Sequence, residues 1–582
     1  MLVAGLVLFA GQLPAQTELA AEFQSLKTAC QAGDPGQCEA ALSVLPDAMR
    51  ANAGPVFENA CKAGDMGACT SVANMFENGF GVEKNLDTAH TFYGVACEAG
   101  AGAGCFNLGW AWENASGYPL DAAKAAEFYQ RACSLGNLDG CNGLAAQYAY
   151  GEGAERNPIE ALALFERSCA GGNAFGCASV GVMLFDGEGL DQDYPAALEY
   201  FTKACVADDA MGCYYQAYTL LYGLVGEEAP ERAVTLFAKA CVLGDMEGCS
   251  FQGWQYETGT GVEVDEARAR DLYRQACDGD SSEACFSLGV MLEEGRGGAA
   301  DAGEAAYLFS ATCGRDLGAA CTRLAYMNFF GTGMAEDTGR AADLFAYACE
   351  LEDAEGCYGL GAMLQREMGI AADFPRAFEV LEKACNLGNA QGCNEAGLML
   401  ELDKYAMQDL PGAAGFYERA CSGGEPNGCG NLGFLYEDGR GVAKDLPRAA
   451  GLLSAGCGGD VAPACNNLGL LYLDGLGVPA DSAQSQALLT RACDDLDSAT
   501  ACYNIAKLAL DGRFGIPDLG QVVAGFGKSC ELGDGKACWQ LGELHLAGRG
   551  VAMDVEAARA LFARGCAAGD ESSCARQAEG GN

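Results

Sequence analysis

The sequence predicts an all-α protein, a solenoid of helix hairpins. Three observations lead there: cysteines recur in pairs at a fixed period, apolar residues between them keep helical spacing, and glycines mark the same two turns in every unit. A period of 36 residues suits an array in which each unit is one helix hairpin. No segment shows the two-residue alternation of a half-buried strand.

At 582 residues the chain is several times longer than an average domain, so a single compact core is not expected. Half of it is apolar, enough for a globular protein. The formal charge of −45 argues against gripping nucleic acid or an anionic membrane surface, since both need Lys and Arg against phosphate. The two histidines, His90 and His545, stand far apart, which argues against a histidine-rich metal centre. No cofactor is expected.

Residues 1–15 read as a candidate signal peptide: an apolar run too short to span a bilayer, ending in Leu13-Pro14-Ala15. The run lacks the usual basic start, because the first Lys or Arg is Lys27. No cysteine precedes Cys30, so a lipid anchor on cysteine is not expected. Residues 16–60 are assigned to an N-terminal helix and an atypical first repeat, 61–574 to the regular array and 575–582 to a short tail.

The 32 cysteines form sixteen pairs. In chain order they are Cys30 with Cys38, Cys61 with Cys69, Cys97 with Cys105, Cys133 with Cys141, Cys169 with Cys177, Cys205 with Cys213, Cys241 with Cys249, and Cys277 with Cys285. The second half continues with Cys313 and Cys321, Cys349 and Cys357, Cys385 and Cys393, Cys421 and Cys429, Cys457 and Cys465, Cys493 and Cys502, Cys530 and Cys538, and Cys566 and Cys574. Seven residues separate the members of each pair, except for eight between Cys493 and Cys502. From Cys97 to Cys493 the first member recurs every 36 residues without a slip.

Before the first cysteine, Ala stands at −8 (Ala89, Ala125, Ala161) and an aromatic residue at −4 (Tyr93, Tyr129, Phe165). Offsets of −8, −4 and 0 share one helical face, so a helix burying that stripe is predicted. Pro195, Pro375, Pro411 and Pro447 suit its first turn. After the cysteine, Gly-Asp or Gly-Asn (Gly64-Asp65, Gly136-Asn137, Gly388-Asn389) ends one helix and caps the next. The second helix starts around the second cysteine and carries a small residue four positions on, as at Gly109, Gly181, Gly253 and Gly433. Glycine costs about 1 kcal/mol inside a helix, so its recurrence at one register predicts close helix–helix approach. Gly-x-Gly closes the unit, as at Gly439 and Gly441 or Gly475 and Gly477.

Each cysteine pair therefore straddles a helix–turn–helix, where Cα atoms fall within the ~5–6 Å of a disulfide. Buried free thiols in a reducing compartment, or zinc shared between two repeats, are the alternatives. The regular pairing favours local disulfides and an oxidising compartment. Sixteen local links leave no cysteine for a covalent dimer, and a monomer is expected.

The unit Leu432-Gly433-Phe434-Leu435-Tyr436-Glu437-Asp438-Gly439-Arg440-Gly441-Val442, with Ala and an aromatic ahead of the cysteine, resembles the Sel-one-like repeat, a relative of the tetratricopeptide repeat. The cysteine pair in every unit is similar to the branch typified by the Helicobacter cysteine-rich proteins. The resemblance covers roughly residues 25–574. It implies a secreted αα-solenoid, tetratricopeptide-like, with one disulfide per repeat, and two functions. One is a scaffold holding a protein or peptide on its concave face. The other is penicillin binding with weak β-lactamase activity. No serine is followed three residues later by lysine, and Ser-Asp-Asn and Lys-Thr-Gly are absent, so the residues of a serine β-lactamase are missing. The first unit is five residues short, and Glu367 and Asp403 stand where the loop glycine belongs.

Catalytic and metal-binding residues are not identified. His545 takes the register of core aromatics, and His90 is expected at the surface. Asp191-Gln192-Asp193 lacks a surrounding calcium loop. Aromatics at helical spacing are assigned to the core. The acidic excess is assigned to a solvated convex face. Two residues beyond the second cysteine, Asn107, Asn431, Asn467 and Asn504 form a candidate ligand-binding row, since asparagine can hold an extended backbone with a paired donor and acceptor. Capping or solvent exposure is the alternative. Ser179, Arg323 and Glu395 interrupt the row at the same register.

Overall fold

The computed structural model describes residues 47–579 apart from 188 and 403–407. The candidate signal peptide, the pair of Cys30 and Cys38, and Asp403 lie outside the described residues. Among the described residues every regular element is a helix, thirty in all, from Asp47–Lys62 to Glu571–Glu579. They fall into two compact units: residues up to Leu288 with Arg296–Gly298, and Gly289–Gly295 with the residues from Ala299 on. Each unit is an αα-hairpin solenoid.

One hairpin serves for all. A leading helix, Gly102–Glu113, carries the second cysteine of one pair, and a trailing helix, Ala122–Ser134, carries the first cysteine of the next. The predicted stripe is buried: Ala125 and Tyr129 are almost wholly enclosed, as are Ala89 and Tyr93 one repeat earlier. Each such aromatic contributes roughly 1.5–3 kcal/mol by leaving water. The recurrent glycine is where the aromatic lands. A Cβ built on Gly109 would lie 2.7 Å from Tyr129 Cδ1, and one on Gly181 would lie 2.5 Å from Phe201 Cδ1. The predicted close approach is therefore a ring of the trailing helix laid on the leading backbone. In the second unit the same layer is built from Phe345, Leu360, Met363 and Leu381.

The hairpins join at both ends. All fifteen described cysteine pairs are disulfides, from Cys61 bonded to Cys69 through to Cys566 bonded to Cys574, with Cα atoms 4.4–4.7 Å apart. The longer spacing of Cys493 and Cys502 is bridged like the rest, at 4.6 Å. No described cysteine is free. In most pairs the second cysteine is the deeper member: Cys69, Cys105, Cys141, Cys213, Cys249, Cys321, Cys357, Cys465, Cys502 and Cys538 are wholly enclosed, while Cys177, Cys285, Cys393 and Cys429 are nearly so. Cys133–Cys141 ties Ala122–Ser134 to the next leading helix, Leu138–Tyr150. The bridge thus closes the junction between hairpins rather than the hairpin itself. At the opposite end, Gly153 (φ 82°) brings the Gly-x-Gly loop against the Ala122 carbonyl at the start of the preceding trailing helix, where any Cβ would collide.

Two polar devices were not read from the sequence. Asp121, Asp193, Asp265 and Asp445, twelve residues before a first cysteine, cap the trailing helices by accepting a backbone N–H three residues on. Part of the acidic excess therefore sits at helix N-termini, where the helix dipole favours it. The scarce cations do the converse. Arg131, Arg167, Lys239 and Lys383, two residues before a first cysteine, donate to the carbonyls of Cys97, Cys133, Cys205 and Cys349 in the preceding repeat, at 3.0, 2.9, 2.5 and 2.6 Å.

Candidate functional site

The asparagine row sits on the first turns of leading helices, as the register requires. Its partners are neighbouring leading helices. Asn431 Nδ2 donates to Asn394 Oδ1 at 3.0 Å, and Asn504 Nδ2 to Asn466 Oδ1 at 2.9 Å. Asn467 donates to Glu437 at 3.1 Å and accepts from Asn466 at 3.0 Å. Residues interrupting the row do similar work: Arg323 reaches Glu293 at 3.1 Å, and Glu395 accepts from Arg366 at 3.0 Å. Ser179 turns back on its own helix, donating to the Phe175 carbonyl at 2.9 Å. Asn107 differs, because its Nδ2 is enclosed and has no hydrogen-bond partner. Of the four asparagines, it alone keeps its side-chain amide donor unused.

His90 corrects an expectation. It is 5% exposed, not a surface residue. The loop after the next leading helix, turned at Gly117 (φ 76°), lays Tyr118 over it with ring centroids 4.2 Å apart. Tyr118 stacks in turn on Trp112 at 4.1 Å, and Lys124 Nζ stands 4.0 Å over the Trp112 ring. Neither His90 nitrogen has a partner, and burial lowers its pKa although Asp87 pulls the other way. His545 is partly buried with its Nδ1 enclosed. Asp193 is a helix cap. Among the described residues no cluster of three or more His, Cys, Asp or Glu side chains could hold a metal ion.

Buried tyrosines on trailing helices each meet a carboxylate. Tyr93 donates to Glu77 at 2.7 Å, Tyr129 to Glu113 at 2.6 Å, Tyr273 to Glu257 at 2.7 Å and Tyr417 to Glu401 at 2.6 Å. Burial first, then the glutamate, raises the Tyr129 phenol far above its ordinary range. Burial likewise raises the Glu77 carboxyl, against the Tyr93 hydrogen bond. These pairs join the two helices of one hairpin and are structural.

Stacked hairpins with locked junctions define a helical-repeat scaffold, a class whose fold mediates protein interactions. The Sel1 repeat matches residues 67–100, 102–137, 138–173, 174–209, 210–245, 253–281, 282–313, 318–353, 354–389, 426–457, 462–495 and 535–570, well over half of the chain. The chain belongs to the Sel1 repeat family, and its disulfides match the cysteine-rich branch. In that framing, 102–137 is one repeat, so Cys133–Cys141 links consecutive repeats. No curated protein matches the sequence. Among solved structures, the chain is similar to c5321, a protective antigen of uropathogenic Escherichia coli with the same repeat fold: 22% identity, TM-score 0.57, covering 82% of this chain and 94% of that one. A Sel1 repeat protein from Oxalobacter formigenes is 21% identical at TM-score 0.44, over 56% of this chain and 93% of that one. Fifteen disulfides suit an oxidising environment. No described helix is long and apolar enough to cross a membrane.

Proposed function

We propose that the protein is a secreted or periplasmic scaffold that holds a protein or extended peptide on the concave face lined by its leading helices, without chemistry of its own. Asn107, Asn431, Asn467 and Asn504 are the candidate contacts. The observation that carries this reading is the covalent closure of the described repeat junctions. A binding face fixed before its partner arrives loses little conformational entropy on association.

A photo-crosslinking residue placed at 107 or 431 tests this, with one at Ile159, 70% exposed on a trailing helix, as control. Adducts from 107 and 431 in the periplasmic or secreted fraction are expected, with none from 159. Adducts from 159 alone would place binding on another face.

A further inference from the structure

The leading helix Ala210–Leu221, capped by Tyr222, is unlike the others. Tyr214, Tyr218 and Tyr222 recur at four-residue steps along it, and Tyr215 takes the register that Asn107 and Asn431 hold elsewhere. The rings form a connected bed. Tyr218 lies 4.6 Å from Tyr222, 5.9 Å from Phe251 and 6.0 Å from Phe185, whose ring is 5.6 Å from Tyr215. Phe251 meets Tyr214 edge-on at 5.6 Å.

The bed is only part of a core. Tyr222 is 46% exposed, and Tyr214, Tyr215 and Tyr218 are half-buried. Among the described residues, none of these four hydroxyls makes a hydrogen bond, whereas Tyr93, Tyr129, Tyr273 and Tyr417 all donate to a glutamate. Four phenols left as donors and acceptors at a partly open aromatic surface are ready for a ligand.

The surroundings set its charge. Between Arg167 and Arg232 ten residues are acidic and only Lys203 is basic. Lys203 stands over the Tyr200 ring of a trailing helix at 4.5 Å. Burial first, and then the carboxylates of Asp186 and Asp245, raise the Tyr215 phenol, so negative charge lies within reach of the bed. Aromatic faces attract cations through their quadrupole, Arg most often, and nearby carboxylates add to that field.

We propose that this tyrosine bed docks an extended segment bearing arginine or lysine, the guanidinium or ammonium groups lying on the rings and donating to the phenols and rim carboxylates. The proposal rests on the scaffold reading and names its partner's chemistry. Tyrosine suits the role because it offers a large, rigid and amphipathic contact at low entropic cost.

The test is fluorescence anisotropy of the full chain, at physiological salt, with a labelled peptide alternating Arg and Ala and its Gln–Ala counterpart. The Arg peptide should bind and the Gln peptide should bind at least about tenfold more weakly. Tyr218→Ala with Tyr222→Ala should weaken the Arg peptide about tenfold. Asp186→Asn, which removes no ring from the bed, should weaken it roughly two- to threefold. Tyr307→Ala, at a 72% exposed tyrosine on a trailing helix, should change nothing. Equal binding of the Gln peptide would show that the bed takes a neutral segment. Undiminished binding by both the tyrosine and Asp186 variants would show only diffuse attraction to an acidic chain. Either result overturns the proposal. Crosslinked adducts from position 107 alongside such a result would leave the scaffold reading standing.

Discussion

Tyr129 donates its hydroxyl to Glu113 Oε2 at 2.6 Å across one hairpin, and the two residues are sixteen apart. The spacing recurs wherever the trailing helix buries a tyrosine at this register: Tyr93 with Glu77, Tyr273 with Glu257 and Tyr417 with Glu401. Where Phe165, Phe201 and Phe237 stand instead, the position sixteen back holds Ala149, Phe185 and Leu221. A buried hydroxyl without a partner would cost about 1–3 kcal/mol, and each buried tyrosine at this register finds its glutamate. Glu293 and Glu437, sixteen residues before Phe309 and Leu453, accept instead from Arg323 and Asn467.

Removing the donor should show what the pair contributes. Tyr417→Phe leaves Glu401 with Arg440 at 3.0 Å, whereas Tyr129→Phe leaves Glu113 with the neutral amide of Gln147 at 3.2 Å. Both substitutions should destabilise by about 1–2 kcal/mol, Tyr129→Phe more, because a hydrogen bond to a charged group is lost in each case and only Glu401 keeps a cation. Urea unfolding of the two variants measures the order, and a neutral Tyr129→Phe would contradict it.

The disulfides lock junctions, so their loss should act locally. Native protein should show no free thiol in the described region, with tryptic peptides linking Cys97 to Cys105 and Cys421 to Cys429. Replacing Cys421 and Cys429 together by Ala releases a short loop, worth ~2.6 kcal/mol on the chain-entropy model before strain. Repeat units contact only their neighbours, so hydrogen exchange should quicken in Leu410–Ser422 and Pro426–Asp438 and little beyond. A full complement of reactive thiols in undenatured protein would remove the oxidising compartment from the account.

How much of this was legible follows from distance along the chain. The cysteine period, the Ala–aromatic stripe and Gly-x-Gly all repeat within one unit, and the helices lie where they point. The pairing of Asn431 with Asn394 depends on how neighbouring leading helices align, 37 residues apart. His90 was misplaced for a similar reason, because Tyr118, which covers it, arrives from a loop beyond the next helix. The acceptors for Arg131 and Arg167 are carbonyls, which carry no side-chain signature at all.

His90 should give stability a slope on the acid side of neutrality. Burial lowers its pKa in the folded chain below the ordinary 6.5, and Asp87 only partly offsets this. The unfolded chain therefore takes the proton first. Stability from His90 is complete above about pH 6.5 and is lost as pH falls below it. Glu77, raised by burial, has the opposite sign, so the comparison must be with His90→Phe, which keeps a ring under Tyr118. From about pH 7.5 to about pH 5.5 the melting temperature of the parent should fall further than that of the variant. Parallel profiles would mean that the ring stack admits a charged imidazole.

Two glycines inside helices should respond in opposite directions to the same change. Gly94, within Leu86–Glu98, has no atom within 4 Å of where a Cβ would stand. Gly94→Ala should therefore gain the helix-propensity difference, about 1 kcal/mol. Gly109, within Gly102–Glu113, gains the same propensity, but its Cβ would stand 2.7 Å from both Tyr129 Cδ1 and Cε1 and 3.2 Å from the Ala125 carbonyl oxygen. The ring cannot retreat cheaply, since it is enclosed on all sides and its hydroxyl is held by Glu113. Forcing volume into a packed site costs typically about 1–3 kcal/mol, and here the helices would also have to separate. The clash should therefore outweigh the propensity, leaving Gly109→Ala destabilised by about 1–2 kcal/mol. Thermal unfolding of both variants decides between two explanations of the repeated glycine. If Gly109→Ala stabilises as Gly94→Ala does, the register is not held by close approach, and the aromatic–glycine contact does not set the spacing of the hairpin.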